Sequence, residues 1–185
     1  MTSHLVTITK HSWPTKLIPR SEYVGDYELQ ARDFTTATMS HALLADCVGN
    51  HGHAFYGAFF GRPVAKQLGK TKNWCYTSLI AFDFDNKPGQ TNISIDEAIQ
   101  SAKEAQLDLK FAYTTLSHTK AQPRFRLVCD TKKYNMPLQA NTKVWLAKLK
   151  AINTLVFNGA ADKHALSPIK LWQGSINGLY YVENK

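Results

Sequence analysis

Residues Ser3–Thr9 alternate apolar and polar positions in a run rich in β-branched side chains, which predicts a strand. Residues 38–47 suit a short helix ending near Gly49, and the apolar, aromatic run 53–60 predicts a second strand. A basic stretch containing glycine and proline, 61–73, leads to the clearest strand of the chain, 78–84 (SLIAFDF), stopped by Asn86, Pro88 and Gly89. Ser94 and Glu97 have the spacing of a capping box, in which each side chain satisfies a free backbone N–H of the first helical turn. Ile95, Ala98, Ile99 and Ala102 then recur at helical spacing and predict a core-facing stripe. Two short strands, 110–116 and 124–129, flank the polar segment 117–123 and predict a hairpin. A further helix over 139–157 would turn Trp145, Leu149, Ile152 and Val156 to one face, and a last strand pair is expected near 170–173 and 179–182. No repeat or low-complexity tract interrupts the pattern. Strands and helices alternate irregularly, so the expected class is α+β, one domain over 1–185 with helices packed on one side of a sheet.

With 185 residues, 44% hydrophobic and 19% charged, the chain has apolar material for a buried core, which excludes disordered and fibrous classes. No apolar run approaches the roughly 18–20 residues of a membrane span. The start (MTSHLVTITK) lacks a signal-peptide core, so a soluble, cytoplasmic protein without a membrane partner is expected. Cys47, Cys75 and Cys129 are an odd, scattered set, which argues against a disulfide framework or a zinc ribbon.

Net charge is +8, and the placement of the acids says more than the total. Residues 47–82 contain no Asp or Glu, and between 109 and 182 the only carboxylates are Asp130 and Asp162. A basic surface broken by isolated acids suits a metal-dependent enzyme acting on phosphates; a merely solvated basic face is the alternative.

The strand 78–84 carries the strongest chemical signal. Ile80, Phe82 and Phe84 share one face, so Asp83 and Asp85 share the other, roughly 6–7 Å apart at Cα. Two carboxylates so placed can converge on one or two Mg²⁺ ions, hard cations that prefer oxygen ligands. Capping of the turn that follows is the competing explanation. His118 lies in the hairpin loop, and Arg124 and Arg126 share one face of the next strand, with Phe125 and Leu127 opposite. One imidazole and two guanidiniums suit a triphosphate, although a lone loop histidine is commonly just surface. A third carboxylate is to be chosen from Asp130, which reads as a turn residue, and Asp162, which follows a helix and is the preferred candidate.

Two other signals are weaker. Gly69-Lys70-Thr71 resembles the end of a phosphate loop, but position 64 is Val where that loop requires Gly. His51-Gly52-His53 has no nearby Cys or carboxylate to complete a metal set and reads as a turn.

In order, these segments resemble the archaeo-eukaryotic primase superfamily, the primase-polymerase domain of plasmid and phage mobile-element replication proteins. The resemblance rests on Ile80-Ala81-Phe82-Asp83-Phe84-Asp85-Asn86, on Tyr113-Thr114-Thr115-Leu116-Ser117-His118-Thr119 with the trailing Pro123-Arg124-Phe125-Arg126-Leu127-Val128, and on Asp162 ahead of Lys170-Leu171-Trp172-Gln173-Gly174-Ser175. It covers roughly residues 50–180. The chain departs from the family at Leu116, where a small residue is usual.

The resemblance implies a mostly antiparallel sheet with an RNA-recognition-motif-like catalytic core. Asp83, Asp85 and Asp162 would be the catalytic acids holding two Mg²⁺ or Mn²⁺ ions. Ser117, His118, Arg124, Arg126 and Lys170 would hold the incoming nucleoside triphosphate. The acid-free segment with Arg62, Lys66, Lys70 and Lys72, backed by Trp74 and Tyr76, would track a single-stranded DNA template. The implied activity is nucleotidyl transfer, as template-directed primer synthesis or DNA polymerisation, with a replicative helicase or accessory replication protein as a further partner. Two rivals remain. A phosphatase of the haloacid dehalogenase type also uses a strand ending in D-x-D, but it would place Asp83 near the chain start and need a later acidic cluster. A non-catalytic replication initiator or single-strand-binding module fits charge and aromatics equally, but gives no reason for two acids on a basic surface.

Overall fold

The computed structural model describes residues 3–12, 33–60, 74–89, 91–132 and 142–183. The alternating run at the start forms β1 (Ser3–Thr9), which pairs antiparallel with β2 (Phe34–Ser40) from Ser3 opposite Ser40 to Thr9 opposite Phe34. With β3 (Phe55–Tyr56) and β9 (Leu171–Trp172) these make one sheet in the order β2-β1-β3-β9. A second sheet has the order β10-β7-β8-β6, from β6 (Leu79–Phe84), β7 (Leu109–Thr114), β8 (Phe125–Asp130) and β10 (Leu179–Val182). A short antiparallel pair, β4 (Ala58–Phe59) and β5 (Tyr76–Thr77), completes the strands. Three helices accompany them among the described residues: α1 (His41–Gly49), α2 (Ile95–Glu104) and α3 (Thr142–Phe157). Every strand pairing among the described residues is antiparallel, and the class is α+β as expected.

Strand alternation decides what each face of the second sheet buries. Ile80, Phe82 and Phe84 of β6 join Phe125, Leu127 and Cys129 of β8 in a core closed by Ala98, Ile99 and Ala102 of α2 and Trp145, Leu149 and Phe157 of α3. Phe84 stacks on Phe125 at 4.7 Å between ring centroids and meets Phe157 edge-on at 5.2 Å. On the opposite face Leu79, Ala81, Phe111, Tyr113 and Val128 pack against Val6, Ile8, Phe55 and Trp172 of the first sheet and Leu44, Ala45 and Val48 of α1. The second sheet is therefore covered on both sides, not on one, because α1 and the first sheet bury the face that α2 and α3 leave.

Several local expectations are corrected by pairing. Residues 38–40 belong to β2, and the helix starts only at His41, because the Ser40 side chain accepts the Leu43 N–H as its N-cap. The run 53–60 is broken at Gly57, where a Cβ would lie 2.0 Å from the Leu79 carbonyl oxygen, so the two halves enter different sheets. β9 and β10 do not pair with each other: β9 bonds β3, and β10 bonds β7. The capping box at Ser94 and Glu97 forms with both of its hydrogen bonds. In α3 the buried stripe is Trp145, Leu149, Asn153 and Phe157, with Ile152 and Val156 only partly covered.

Asp130 closes the turn after the strand, its Oδ1 accepting the Lys132 N–H at 2.8 Å, but it is more than a turn residue. It ends β8 on the face shared with Arg126 and Val128, is 1% exposed, and stands 3.7 Å from Nδ1 of the equally buried His4 on β1. Burial holds the His4 pKa below its ordinary 6.5, against the pull of Asp130, while Lys132, Lys110 and His41 add to the lowering. The folded state thus favours neutral imidazole. This contribution to stability is fully present above the unfolded pKa near 6.5 and is lost as pH falls toward the lower folded value. Urea unfolding at pH 7.5 and 5.5 should show the wild type losing stability on acidification, and His4→Gln should lose measurably less; equal slopes would remove His4 as the cause.

Candidate functional site

Alternation on β6 sends Asp83 away from the helical core that takes Phe82 and Phe84, and Asp85 follows past the strand's end. Asp83 stands directly opposite Arg126 in the β6–β8 register, and Arg126 Nε donates to Asp83 Oδ1 at 2.7 Å. The same guanidinium donates through Nη1 to the Gln173 carbonyl at 2.6 Å and to the Tyr113 hydroxyl at 3.3 Å. It also lies 5.3 Å from the Trp172 ring and 5.8 Å from the Tyr113 ring. Burial works against its charge, yet the Tyr113 hydroxyl and the Asp83 carboxylate together hold its pKa above the ordinary value. Burial raises the Tyr113 phenol, against the opposing charge of Arg126.

Asp85 lies just beyond the strand. Its carboxylate pairs with Lys87 Nζ at 2.6 Å, and its carbonyl accepts from Gln122 Nε2 at 3.0 Å. The hydrogen bond to Asp85 and the charge of that carboxylate raise the Lys87 pKa; Asp162 adds to the effect and Arg124 opposes it. Asp162 reaches the same end of the molecule through its backbone, whose N–H donates to the Asp83 carbonyl at 2.7 Å, while its Oδ1 accepts the His164 N–H.

Two asparagines hold these loops, Asn86, read in the sequence only as a strand stop and motif end, and Asn153, which the sequence reading passed over. Asn86, in the left-handed region at φ 46°, donates to the Ile93 and Pro123 carbonyls and accepts the Ile93 N–H, tying the segment after Asp85 to the hairpin loop. Asn153 in α3 donates to the Ala161 carbonyl at 2.9 Å and accepts the Ala161 N–H at 3.0 Å, one residue before Asp162. Replacing Asn153 with Ala strands two buried backbone groups, so a loss of about 2 kcal/mol is expected in urea unfolding. Asn153→Asp should not recover it, since one buried carboxylate oxygen would face the Ala161 carbonyl where the amide donated. A neutral alanine variant would mean that the loop does not depend on this contact.

A cleft of about 180 Å³ opens where the hairpin loop meets the strand ends, lined by Asp85, Thr115, Leu116, Ser117, Arg124 and Arg126, with Gln173 and Gly174 along one wall. Of the expected nucleotide-binding residues, Ser117, Arg124 and Arg126 are thus brought together. Arg124 Nε is buried with no hydrogen-bond partner among the described residues. His118 does not line the cleft: it is exposed, and its Nδ1 accepts the Arg124 backbone N–H at 3.2 Å. Lys170 Nζ sits 5.7 Å from the Trp172 ring and does not line the cleft. Trp74, expected as a stacking platform, is partly buried. Its indole N–H donates to Thr77 Oγ1 at 2.9 Å and its ring meets Trp145 edge-on. Arg62, Lys66, Lys70 and Lys72 lie outside the described residues. A carboxylate does lie beside this pair, Asp46 Oδ2 at 3.4 Å from His51 Nε2, but His53 turns away to the Thr9 carbonyl, and His51 forms a β-bridge with Ile176 where a turn was expected.

The three acids supply hard oxygen donors of the kind a divalent cation takes. Two of them already hold a cation, Arg126 on Asp83 and Lys87 on Asp85. As they stand, no three His, Cys, Asp or Glu side chains among the described residues are grouped to hold a metal ion. Asp83 and Asp85 are thus each closed by a basic side chain, and a metal ion would have to displace those cations to be held there. No helix among the described residues is long and apolar enough to cross a membrane. No protein-family model, curated protein or solved structure matches the chain.

Proposed function

We propose that the cleft is the nucleotide site of a metal-dependent nucleotidyltransferase that synthesises primers or extends DNA on a single-stranded template. The observation that carries this reading is the meeting of Asp85, Ser117 and Arg124 in one cleft, with a buried guanidinium nitrogen of Arg124 that has no acceptor among the described residues. A buried donor of this kind favours an anionic oxygen, and guanidinium binds phosphate through paired donors. Asp83, Asp85 and Asp162 would hold Mg²⁺ or Mn²⁺, which supplies charge neutralisation at a triphosphate and acidifies an attacking hydroxyl. Arg124 and the Ser117 hydroxyl orient the triphosphate, Arg126 fixes Asp83, and His118 braces the hairpin at Arg124. The basic positions Arg62, Lys66, Lys70 and Lys72 supply charge for the template.

A second reading, a non-catalytic replication initiator or single-strand-binding module, draws support from the neutralisation of Asp83 and Asp85 by protein cations. Incorporation of labelled nucleotides on single-stranded DNA, with and without primer and with Mg²⁺ or Mn²⁺, separates the two. Metal-dependent product that falls at least about a hundredfold in Asp83→Ala/Asp85→Ala is expected. Absence of product with single-strand binding intact in both proteins favours the binding module, and release of inorganic phosphate alone would favour the phosphatase.

A further inference from the structure

We infer that the outward face of α3 is a docking surface for a helix of another protein, one whose own apolar stripe is flanked by carboxylates; the inference stands apart from the nucleotide site. α3 is apolar on two sides. Trp145, Leu149 and Phe157 face the core, and the opposite line of the helix is Val144, Ala147, Ala151 and Leu155, recurring at the three- and four-residue spacing of a packing stripe. All four are exposed, Val144 by 45% and Leu155 by 83%. The neighbouring α2 shows what a solvent face of this protein looks like: its exposed positions are Asp96, Glu97, Gln100, Lys103 and Glu104, all of them polar. A helix that is apolar all round is normally covered on both sides, and the outer stripe of α3 is open.

Charge selects the partner. α3 contains no Asp or Glu, and neither does the chain from 131 to 161. With a helical turn of about 3.6 residues, Lys148 borders the stripe on one side and Lys143 and Lys150 border it on the other. In a helix pair such flanking residues lie against those of the partner and set which chain is accepted. A second copy of α3, in either direction, would bring lysine against lysine, because every charge on the helix is positive. An acidic helix instead neutralises both flanks. The acids of α2 are held by neighbours of their own, Asp96 by Tyr180, Glu97 by Ser94 and Glu104 by Gln100. Ala147 and Ala151 in the middle of the stripe let a partner backbone approach closely, and Val144 and Leu155 give it apolar contacts at the two ends.

The test is fluorescence anisotropy with two labelled synthetic helical peptides that share one leucine stripe, the first flanked on both sides by Glu and the second by Lys. The Glu peptide should bind the wild-type protein and the Lys peptide should not. Leu155→Asp should weaken the Glu peptide at least about tenfold with Tm unchanged, since that side chain lies in solvent. Lys148→Glu/Lys150→Glu, one change on each flank, should reverse the preference between the peptides, which an apolar face without charge selection would not do. Absence of binding by the Glu peptide, equal binding of both peptides, or a preference unmoved by the lysine exchange would overturn the inference. So would a wild-type dimer in sedimentation equilibrium, or co-sedimentation with phosphatidylglycerol vesicles, where either is lost in Leu155→Asp, because the face would then have another occupant.

Discussion

Arg126→Met should cost about 3 kcal/mol in urea unfolding, because it leaves the Asp83 carboxylate part-buried without its cation. The methionine can fill the space between Tyr113 and Trp172 but cannot replace the donors to Asp83 Oδ1, the Gln173 carbonyl and the Tyr113 hydroxyl. Asp83→Asn should cost less, since the amide oxygen still accepts from Nε and the guanidinium keeps its other two partners. The double variant Asp83→Asn/Arg126→Met should be more stable than Arg126→Met alone, because the stranded charge is gone. Nucleotide affinity gives a second readout. If Arg126 supports Asp83 instead of gripping phosphate, Arg124→Met should weaken nucleotide binding more than Arg126→Lys does. A loss below about 1 kcal/mol for Arg126→Met would show that the pair is only a surface contact.

Alternation made half of this site readable in advance. The apolar positions of 78–84 required one face for Ile80, Phe82 and Phe84, and so placed Asp83 and Asp85 together on the other. The same rule put Arg124 and Arg126 on one side of the chain at the start of β8, and both line the cleft. It could not say that Arg126 lies opposite Asp83, because the register between β6 and β8 is set by packing across residues far apart in the chain. Arg126 was therefore expected to bind phosphate, whereas most of its donors are taken by protein acceptors. Asp130 read as a turn because Lys132 and Lys133 follow it. One carboxylate oxygen does make that local bond, to the Lys132 N–H, but strand parity also carries the side chain into the layer between the sheets, facing His4, a contact no local pattern encodes. Asn86 and Asn153 act through hydrogen bonds to backbone groups, and an asparagine in sequence does not name its acceptors. The capping box was legible because both of its bonds are local. Breaks such as Gly57 depend on a neighbour distant in sequence and were not.

Gly174→Ala should be as damaging as Arg126→Met, and for a connected reason. A Cβ at 174 would meet the carbonyl oxygens of Val48 and His53 at 2.5 Å each and the Gly52 carbonyl carbon at 2.8 Å, all of them backbone atoms. No side chain can swing aside, so the 173–175 segment must move, breaking the Ser175 N–H bond to the Val48 carbonyl and withdrawing the Gln173 carbonyl from Arg126. A loss of about 3 kcal/mol, the upper end for overpacking, is expected, with the cleft wall displaced. Because the alanine already costs Arg126 its Gln173 acceptor, the two variants should not add. The double variant Gly174→Ala/Arg126→Met should fall short of the summed losses by about 1 kcal/mol. Strict additivity in that double-mutant cycle would mean that the segment and the guanidinium are independent, and that Asp83 is held by β8 alone.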